Sequence, residues 1–117
     1  NLDAARRRLM DILCNYAGYR KCVPILVFDA YRVKGAGREQ ETWHNLHVIY
    51  TREAETADMF IERATHELAT NHRVRVVSSD GAEQIIILGN GALRVSARAF
   101  EREVRAVEAE IREFLDQ

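Results

Sequence analysis

Apolar residues recur along the first half of the chain at spacings typical of a helix and then of strands. Leu2 to Tyr16 follow a helical period, and Gly18 is a plausible end for this helix. The run CVPILVF has no polar break, as a strand covered on both faces requires. Residues 30–44 are polar, contain glycine and lack a period, so we expect a loop there. LHVIY predicts the next strand.

The second half repeats this alternation. A helical period from about Glu55 to Asn71 predicts an amphipathic helix, and VRVVSSD predicts a short third strand. We interpret GAEQIIILGNG as a short buried helical segment that is ended by glycines, with LRV as an edge strand after it. Ser96 is expected to cap a last helix. The apolar stripe of that helix comprises Phe100, Val104, Val107, Ile111 and Phe114 or Leu115.

Helices that alternate with apolar strands are typical of an α/β sandwich with a mainly parallel sheet and helices on both faces. The chain has 117 residues, of which 47% are hydrophobic, and this is enough for one core but hardly for two. No repeat, low-complexity tract or proline-rich linker divides it. We therefore expect a single domain over residues 1–117.

Two absences in the sequence bear on the compartment. No apolar stretch approaches the roughly 20 residues that are needed to cross a bilayer. The two cysteines, Cys14 and Cys22, lack the spacing of a zinc site and are too few for a disulfide framework, which is typical of a reducing compartment. The sequence therefore predicts a cytoplasmic protein without a membrane partner.

Acidic residues follow the predicted strands. Asp29 closes the first strand and Asp80 closes the third, while Glu55 and Asp58 open the helix after the second. Ligands of such sheets gather beyond the carboxyl ends of the strands, so three segments would bring carboxylates to one edge. Clustered carboxylates repel one another unless a cation lies among them. Mg²⁺ or Mn²⁺ prefers such oxygen ligands and can activate water for phosphodiester cleavage.

Each of these acids also has a structural explanation. An acid in the first turn of a helix interacts favourably with the helix dipole, by about 0.3–1 kcal/mol, which would account for Glu55 or Asp58. Asp80 precedes Gly81 in an ordinary turn pair, and an Asp after a strand often caps the next helix. The coincidence of three segments at one edge favours the metal site over these alternatives.

Contact with nucleic acid would depend on local basic side chains, because the formal net charge of −1 gives no global attraction to it. Tyr31 and Trp43 flank the predicted loop and are candidates for stacking on unpaired bases. For Trp43, packing of the loop onto the sheet edge is an equally open alternative. Arginine binds phosphate through two hydrogen bonds, and the basic candidates are Arg32, Lys34, Arg38, Arg52 and Arg94.

Three consecutive arginines, at positions 6 to 8, lie on the first predicted helix. Consecutive helical residues point in different directions, so this run favours a solvated face over a contact with nucleic acid.

Three longer segments carry a resemblance to a known family. They read VFDAYRVKG, VIYTREAETADMFIER and VVSSDGAEQIIILGNGALRVSARAFEREV, and they are similar to the YacP-like NYN family of the PIN-like nuclease superfamily. The similarity covers nearly the whole chain. It implies a three-layer α/β/α PIN-like sandwich and metal-dependent endoribonuclease activity. The family includes a ribosome-associated enzyme that cuts messenger RNA, and similar modules occur attached to larger translation factors.

The resemblance also assigns roles to residues. It implies that Asp29, Asp58 and Asp80 hold Mg²⁺ or Mn²⁺, and that Asp58, Asp80 and Glu55 are the catalytic residues. The chain departs from the family at one point, because members begin with a strand that carries an Asp-Gly-Tyr-Asn type motif. The Asp of that motif is a principal metal ligand in the family, and the motif is absent here. The resemblance therefore implies an N-terminally truncated domain.

A strand missing from the middle of a parallel sheet would leave backbone groups unpaired. Another chain's strand, an exchanged element or a different segment of this chain would fill the gap, which favours a homodimer through the open sheet. Two functions stay open. One is a metal-dependent endoribonuclease that cleaves single-stranded RNA or messenger RNA. The ribosome is a candidate place for this cleavage. The other is a catalytically incomplete RNA- or ribosome-binding module, excised from a larger translation-related protein.

Overall fold

The structure is a computed structural model that describes residues 2–29, 40–52, 55–78, 83–89 and 94–117. Three helices and six strands lie within these ranges. In chain order they are α1 (Leu2–Arg20), β1 (Val23–Phe28), β2 (Gln40–Trp43), β3 (Leu46–Tyr50), α2 (Ala57–Leu68), β4 (Val74–Ser78), β5 (Glu83–Leu88), β6 (Arg94–Ser96) and α3 (Ala97–Leu115). No helix in this part of the chain is long and apolar enough to span a bilayer.

The described strands form one sheet between two layers of helices. Its order is β2-β3-β1-β5-β4-β6. Successive strand residues point to opposite faces, so Leu26 packs with α1 and α3 on one face, and Val27 packs with α2 on the other. Each helix buries one apolar stripe against its face, as Val107 of α3 and Ile61 of α2 illustrate. The predicted α/β/α layering is confirmed.

The prediction of a mainly parallel sheet is wrong for the described strands. β1 is parallel to β3, and β4 is parallel to β6. The other three pairings, β2 with β3, β1 with β5 and β4 with β5, are antiparallel. The reason lies in the connections, since parallel strands need a long crossover. A two-residue turn at His44 and Asn45 joins β2 to β3, and only four residues separate β4 from β5.

Residues 83–88 are a strand, where a short buried helix was predicted. The run contains Ile85, Ile86 and Ile87, whose β-branched side chains favour strands. Ile85 and Ile87 pack on the α1 and α3 side, while Ile86 packs on the α2 side, so the strand is covered on both faces. β5 pairs with both β1 and β4. We expected a gap in the sheet where the family's first strand is missing. In the structure a segment of this chain, β5, lies in the middle of the sheet.

The polar segment at residues 40–43 is an edge strand, although a loop was predicted for residues 30–44. The first helix also continues past Gly18 to Arg20. It ends where Lys21 adopts a left-handed conformation with φ 56°, and the N–H of Cys22 donates to the carbonyl of Ala17 at 3.2 Å. This is the hydrogen bond of a Schellman ending.

The last helix begins as predicted. The hydroxyl of Ser96 accepts a hydrogen bond from the N–H of Ala99 at 3.1 Å, which caps the helix. The predicted stripe is confirmed for Phe100, Val104 and Val107, which are buried. It does not reach the end of the helix, because Phe114 and Leu115 are 67% and 73% exposed.

Candidate functional site

The ends of three strands lie along one edge of the sheet. In the parallel register Phe28 of β1 is beside Tyr50 of β3, and Phe28 also faces Glu83 at the start of β5. The next residue of β5 faces Ser78, the last residue of β4. We call this edge, formed by residues 28–29, 50–52 and 78, the carboxyl rim. Chain segments that leave β1, β3 and β4 therefore start side by side.

Asp29 connects this rim to α2. Its Oδ1 accepts a hydrogen bond from the backbone N–H of Ala57 at 2.5 Å. Ala57 is the first residue of α2, and an N–H in the first turn has no acceptor within the helix. The hydroxyl of Thr56 accepts the N–H of Met59 at 3.1 Å and so caps the same terminus. The Asp29 carboxylate thus holds the start of α2 against the end of β1, at the positive end of the helix dipole.

Asp58 directly follows Ala57 and is exposed in the first turn of α2. Since Asp29 contacts the preceding residue, the structure brings these two predicted metal ligands to one helix terminus from separate parts of the chain. The third predicted ligand, Asp80, lies outside the described residues.

Glu55, two residues before α2, takes part in an ion pair with a residue of that helix. Its Oε2 accepts a hydrogen bond from Nη1 of Arg63 at 2.6 Å, and the Glu55 side chain is only 17% exposed. The guanidinium of Arg63 also lies 5.5 Å from the ring centre of Phe60. Arg63 and Phe60 were not among the predicted site residues. The sequence did indicate that these two residues are neighbours, because residues three apart lie side by side on a helix surface.

The carboxylates of Asp29 and Asp58 are of the chemical type that binds a hard divalent ion. Mg²⁺ is commonly held by one or two carboxylates, together with waters and substrate phosphate, and Asp29 and Asp58 provide two. A carboxylate that accepts one hydrogen bond retains further lone pairs for a metal. Within the ranges that the structure describes, no three His, Cys, Asp or Glu side chains come together as metal ligands. Among the described residues, the predicted metal ligands are thus Asp29 and Asp58, and a shared ion stays a prediction.

Two predicted RNA-binding arginines lie at the carboxyl rim. Nη1 of Arg94 donates to the hydroxyl of Ser78 at 2.9 Å, so its guanidinium reaches from β6 to the end of β4. Arg52 follows β3 and lines a groove of about 420 Å³ together with Glu55, Phe60 and Arg63. The other basic candidates, Arg32, Lys34 and Arg38, lie outside the described residues, as does Tyr31.

Trp43 packs the edge hairpin onto α1. Its Nε1 donates to Oδ1 of Asp11 at 3.3 Å, and its carbonyl accepts the Sγ–H of Cys14 at 3.4 Å. Trp43 thus joins the edge strand itself to α1, whereas the packing alternative had it joining a loop to the sheet edge, and its stacking on bases stays a prediction. The indole nevertheless remains 37% exposed.

The described part of the chain forms a mixed sheet between two helical layers. Asp29 lies where a strand end meets the start of a helix. The chain belongs to the YacP-like NYN domain family, a nuclease-like family whose model matches residues 1–117. It is 42% identical over 114 residues to the uncharacterized protein YacP of Bacillus subtilis (strain 168), and this match covers 95% of the chain. The fold matches the crystal structure of Rae1 (YacP) from Bacillus subtilis with a TM-score of 0.74 and 34% identity, over 97% of the chain.

The chain spans 65% of the length of both relatives. The comparisons confirm the predicted family and the PIN-like fold.

Proposed function

We propose that this domain is part of a metal-dependent endoribonuclease that cleaves single-stranded RNA, with messenger RNA as a substrate. Asp29, Asp58 and Asp80 are the proposed ligands of Mg²⁺ or Mn²⁺, and Asp58, Asp80 and Glu55 are the proposed catalytic residues. The observation that carries the proposal is the hydrogen bond from Ala57 to Asp29, because it brings two acids of a nuclease-like family to one helix terminus.

The bound ion would supply Lewis acidity and a water of lowered pKa. The chain's own residues would hold the RNA in place. Arg94, aligned by Ser78, and Arg52 are placed to bind phosphate oxygens along the carboxyl rim. Asp29 would keep its position through the N–H of Ala57. Glu55 would accept a proton only after Arg63 exchanges its carboxylate for a phosphate of the substrate.

The second candidate function is an RNA- or ribosome-binding module that lacks a complete metal site. The ion pair between Glu55 and Arg63 favours it, since a proposed catalytic acid is already engaged. For either function we propose a cytoplasmic setting, with RNA and the ribosome as partners. We also retain the homodimer as a proposal, now through the sheet edges at β2 or β6, because β5 lies in the middle of the sheet.

Cleavage of a labelled single-stranded RNA in Mn²⁺ tests the proposal. We expect Asp58→Asn to lower the cleavage rate at least about 100-fold, the upper end of what losing a ligand's supporting hydrogen bond costs a metal site. Asp116→Asn is the matched control, because it removes the same charge at the far end of α3. Equal rates for Asp58→Asn and the unmodified protein would refute the nuclease. RNA binding without cleavage in the unmodified protein would favour the second candidate.

A further inference from the structure

The charges of α3 run in the opposite order to the one that the helix dipole favours. A helix is stabilised by acids near its first turn and by bases near its last, by about 0.3–1 kcal/mol each. The first turn of α3 contains no acid, and the exposed Arg98 lies in it. Arg112 in the last turn follows the favoured order. The exposed bases of the first half are Arg98, Arg102 and Arg105, and the exposed acids of the second half are Glu108, Glu110 and Glu113. The stability of the helix alone does not account for this order.

The three arginines of the first half lie on one side of α3. They are four and three residues apart, and residues at these spacings are neighbours on a helix surface. The buried side of the helix is formed by Phe100, Val104 and Val107. At 3.6 residues per turn the arginines lie roughly opposite to this side, so they face solvent. We call Arg98, Arg102 and Arg105 the arginine stripe.

Nearby acids leave the stripe positively charged. Glu101 forms an ion pair with Arg105 at 2.7 Å. Glu103 is turned towards the sheet, where it accepts hydrogen bonds from a buried arginine of β4. Among the residues that the structure describes, no acid forms an ion pair with Arg98 or Arg102. Three guanidinium groups against the carboxylate of Glu101 therefore leave an excess of two positive charges.

The stripe begins at the carboxyl rim. Ser96, which caps α3, lies beside Ser78 in the parallel register of β6 and β4. The hydroxyl of Ser78 also accepts a hydrogen bond from the exposed Arg94. Arg94 and the first turn of α3 thus adjoin the same strand end. The acids of α2 are on the other face of the sheet, because α2 and α3 pack on opposite faces. A polyanion bound at Arg94 can therefore continue along the stripe.

The side chains of the stripe suit a phosphate backbone rather than bases. Phe100, the aromatic residue in the first half of α3, is buried, so it offers no surface for stacking. Arginine binds phosphate oxygens through two hydrogen bonds. Contacts to phosphate position a nucleic acid without reading its sequence. An acidic peptide also carries negative charge, but continuity with Arg94 at the rim favours RNA.

We propose that the arginine stripe binds the phosphates of the single-stranded RNA that leaves the carboxyl rim at Arg94. This inference rests on the proposed function, because it assigns a path to the same substrate. Arg98 and Arg102 carry most of the contact, since Arg105 shares its charge with Glu101. The contact is independent of the RNA sequence.

Binding of labelled oligouridine to the full chain in EDTA, measured by fluorescence anisotropy, tests the stripe. The variant with both Arg98→Gln and Arg102→Gln should bind about tenfold more weakly than the unmodified protein. The slope of affinity against salt should be smaller by roughly 0.7 for each of the two lost phosphate contacts. Glutamine has nearly the helix propensity of arginine, so α3 should stay folded, which circular dichroism checks.

The matched control is the variant with both Arg73→Gln and Arg112→Gln. It removes the same two charges from exposed positions. Arg73 directly precedes β4 and so lies at the far end of that strand from Ser78, and Arg112 lies in the last turn of α3. Its affinity and salt slope should equal those of the unmodified protein. Equal weakening in the two double variants would reduce the effect to general attraction and overturn the stripe.

Two further ligands test the chemistry of the partner. Polyglutamate of equal charge should displace oligouridine poorly, and displacement as effective as that by unlabelled oligouridine would assign the stripe to an acidic peptide. Duplex RNA of equal length should bind no more tightly than the single strand. A loss of affinity in the Arg98 and Arg102 variant that is confined to the duplex would overturn the proposed path of the single strand.

Binding in EDTA also separates this inference from the nuclease proposal. If the protein cleaves RNA and the Arg98 and Arg102 variant binds oligouridine as tightly as the unmodified protein, the stripe alone is refuted. If binding depends on the stripe and the protein never cleaves, the nuclease is refuted and the stripe stands.

Discussion

Arg75 of β4 and Glu103 of α3 form a two-pronged ion pair between the sheet and its covering helix. Nη1 of Arg75 donates to Oε2 of Glu103 at 2.7 Å, and Nη2 donates to Oε1. The hydroxyl of Tyr16 in α1 donates to the same Oε2 at 3.0 Å. Arg75 is only 6% exposed. One carboxylate therefore joins β4, α1 and α3 on one face of the sheet.

The first prediction concerns the stability that this carboxylate provides. Glu103→Gln should lower the free energy of unfolding by about 3 kcal/mol, the low end of the range for breaking a buried pair, because Glu103 is itself partly exposed. The control is Glu101→Gln, whose exposed i, i+4 pair with Arg105 is expected to contribute about 0.3–0.5 kcal/mol. Urea unfolding of both variants measures the difference. Similar losses in the two variants would contradict a special role for Glu103.

The second prediction is a loss of stability in acid. The hydrogen bonds from Arg75 lower the pKa of Glu103 below its usual 4.5, against the opposing effect of burial. A carboxyl whose pKa is lower in the folded state stabilises the fold above its unfolded pKa. That contribution disappears as the pH falls through the lower, folded value. Unfolding measured from pH 6 downwards should show this loss, and Glu103→Gln should make the curve flatter.

The third prediction is a loss of stability in alkali. Burial, followed by the hydrogen bond to Glu103, raises the pKa of Tyr16 from 10.0 to about 12. The unfolded chain then releases the phenolic proton before the folded chain does, so stability falls as the pH rises from 10 to 12. Tyr16→Phe should remove part of this slope. Tyr19→Phe is the comparison variant: a hydrogen bond to Glu110 also raises the pKa of Tyr19, but its side chain is exposed, so this variant should remove less of the slope than Tyr16→Phe does.

The fourth prediction separates the two roles of Asp29. Asp29→Asn keeps an oxygen for the N–H of Ala57 and removes the charge, whereas Asp29→Ala removes both. We expect Asp29→Ala to cost about 1 kcal/mol, as the loss of a helix cap does, and Asp29→Asn to cost less. Mn²⁺ should raise the melting temperature of the unmodified protein, because a ligand that binds only the folded state stabilises it. Both variants should lose that shift, and Asp116→Asn should keep it. A retained shift in Asp29→Asn would exclude Asp29 as a ligand.

The fifth prediction tests the strand at residues 83–88. A strand paired on both sides opens with the core, so its amides should exchange with deuterium nearly as slowly as global unfolding allows. The edge strands β2 and β6 should exchange faster. Hydrogen exchange read by mass spectrometry on peptides from these segments provides the comparison. Exchange of residues 83–88 at the rate of the edges would argue against their central place.

The sequence predicted the parts of the fold that local patterns determine. The stripe of α2 and the cap at Ser96 depend on residues a few positions apart, and both are confirmed. The run from Ile85 to Leu88 was misassigned because an unbroken apolar run has no period, so a buried helix and a buried strand look alike. The strand at residues 40–43 was missed because its partner β3, rather than its polar side chains, determines its conformation.

The sequence indicated which residue types belong to the candidate site. It did not indicate which of these residues contact one another. An acid after a strand and an acid at a helix start can be seen in the sequence, which is how Asp29 and Asp58 were found. The hydrogen bond between Asp29 and Ala57 joins residues 28 positions apart, and no local pattern specifies it. The pairing of Arg75 with Glu103 is of the same kind, since it depends on how α3 packs across the sheet.

The hydrogen bond that Asp29 makes to Ala57 has a consequence for how a cation would be sensed. The same carboxylate organises the first turn of α2 and stands among the proposed ligands. A cation that draws electron density from this carboxylate weakens the bond, whereas one that binds its other lone pairs holds the carboxylate still. If Asp29 binds the proposed ion, occupancy of the rim and fraying of the first turn of α2 would be thermodynamically linked, and the order of that turn would report on the ion.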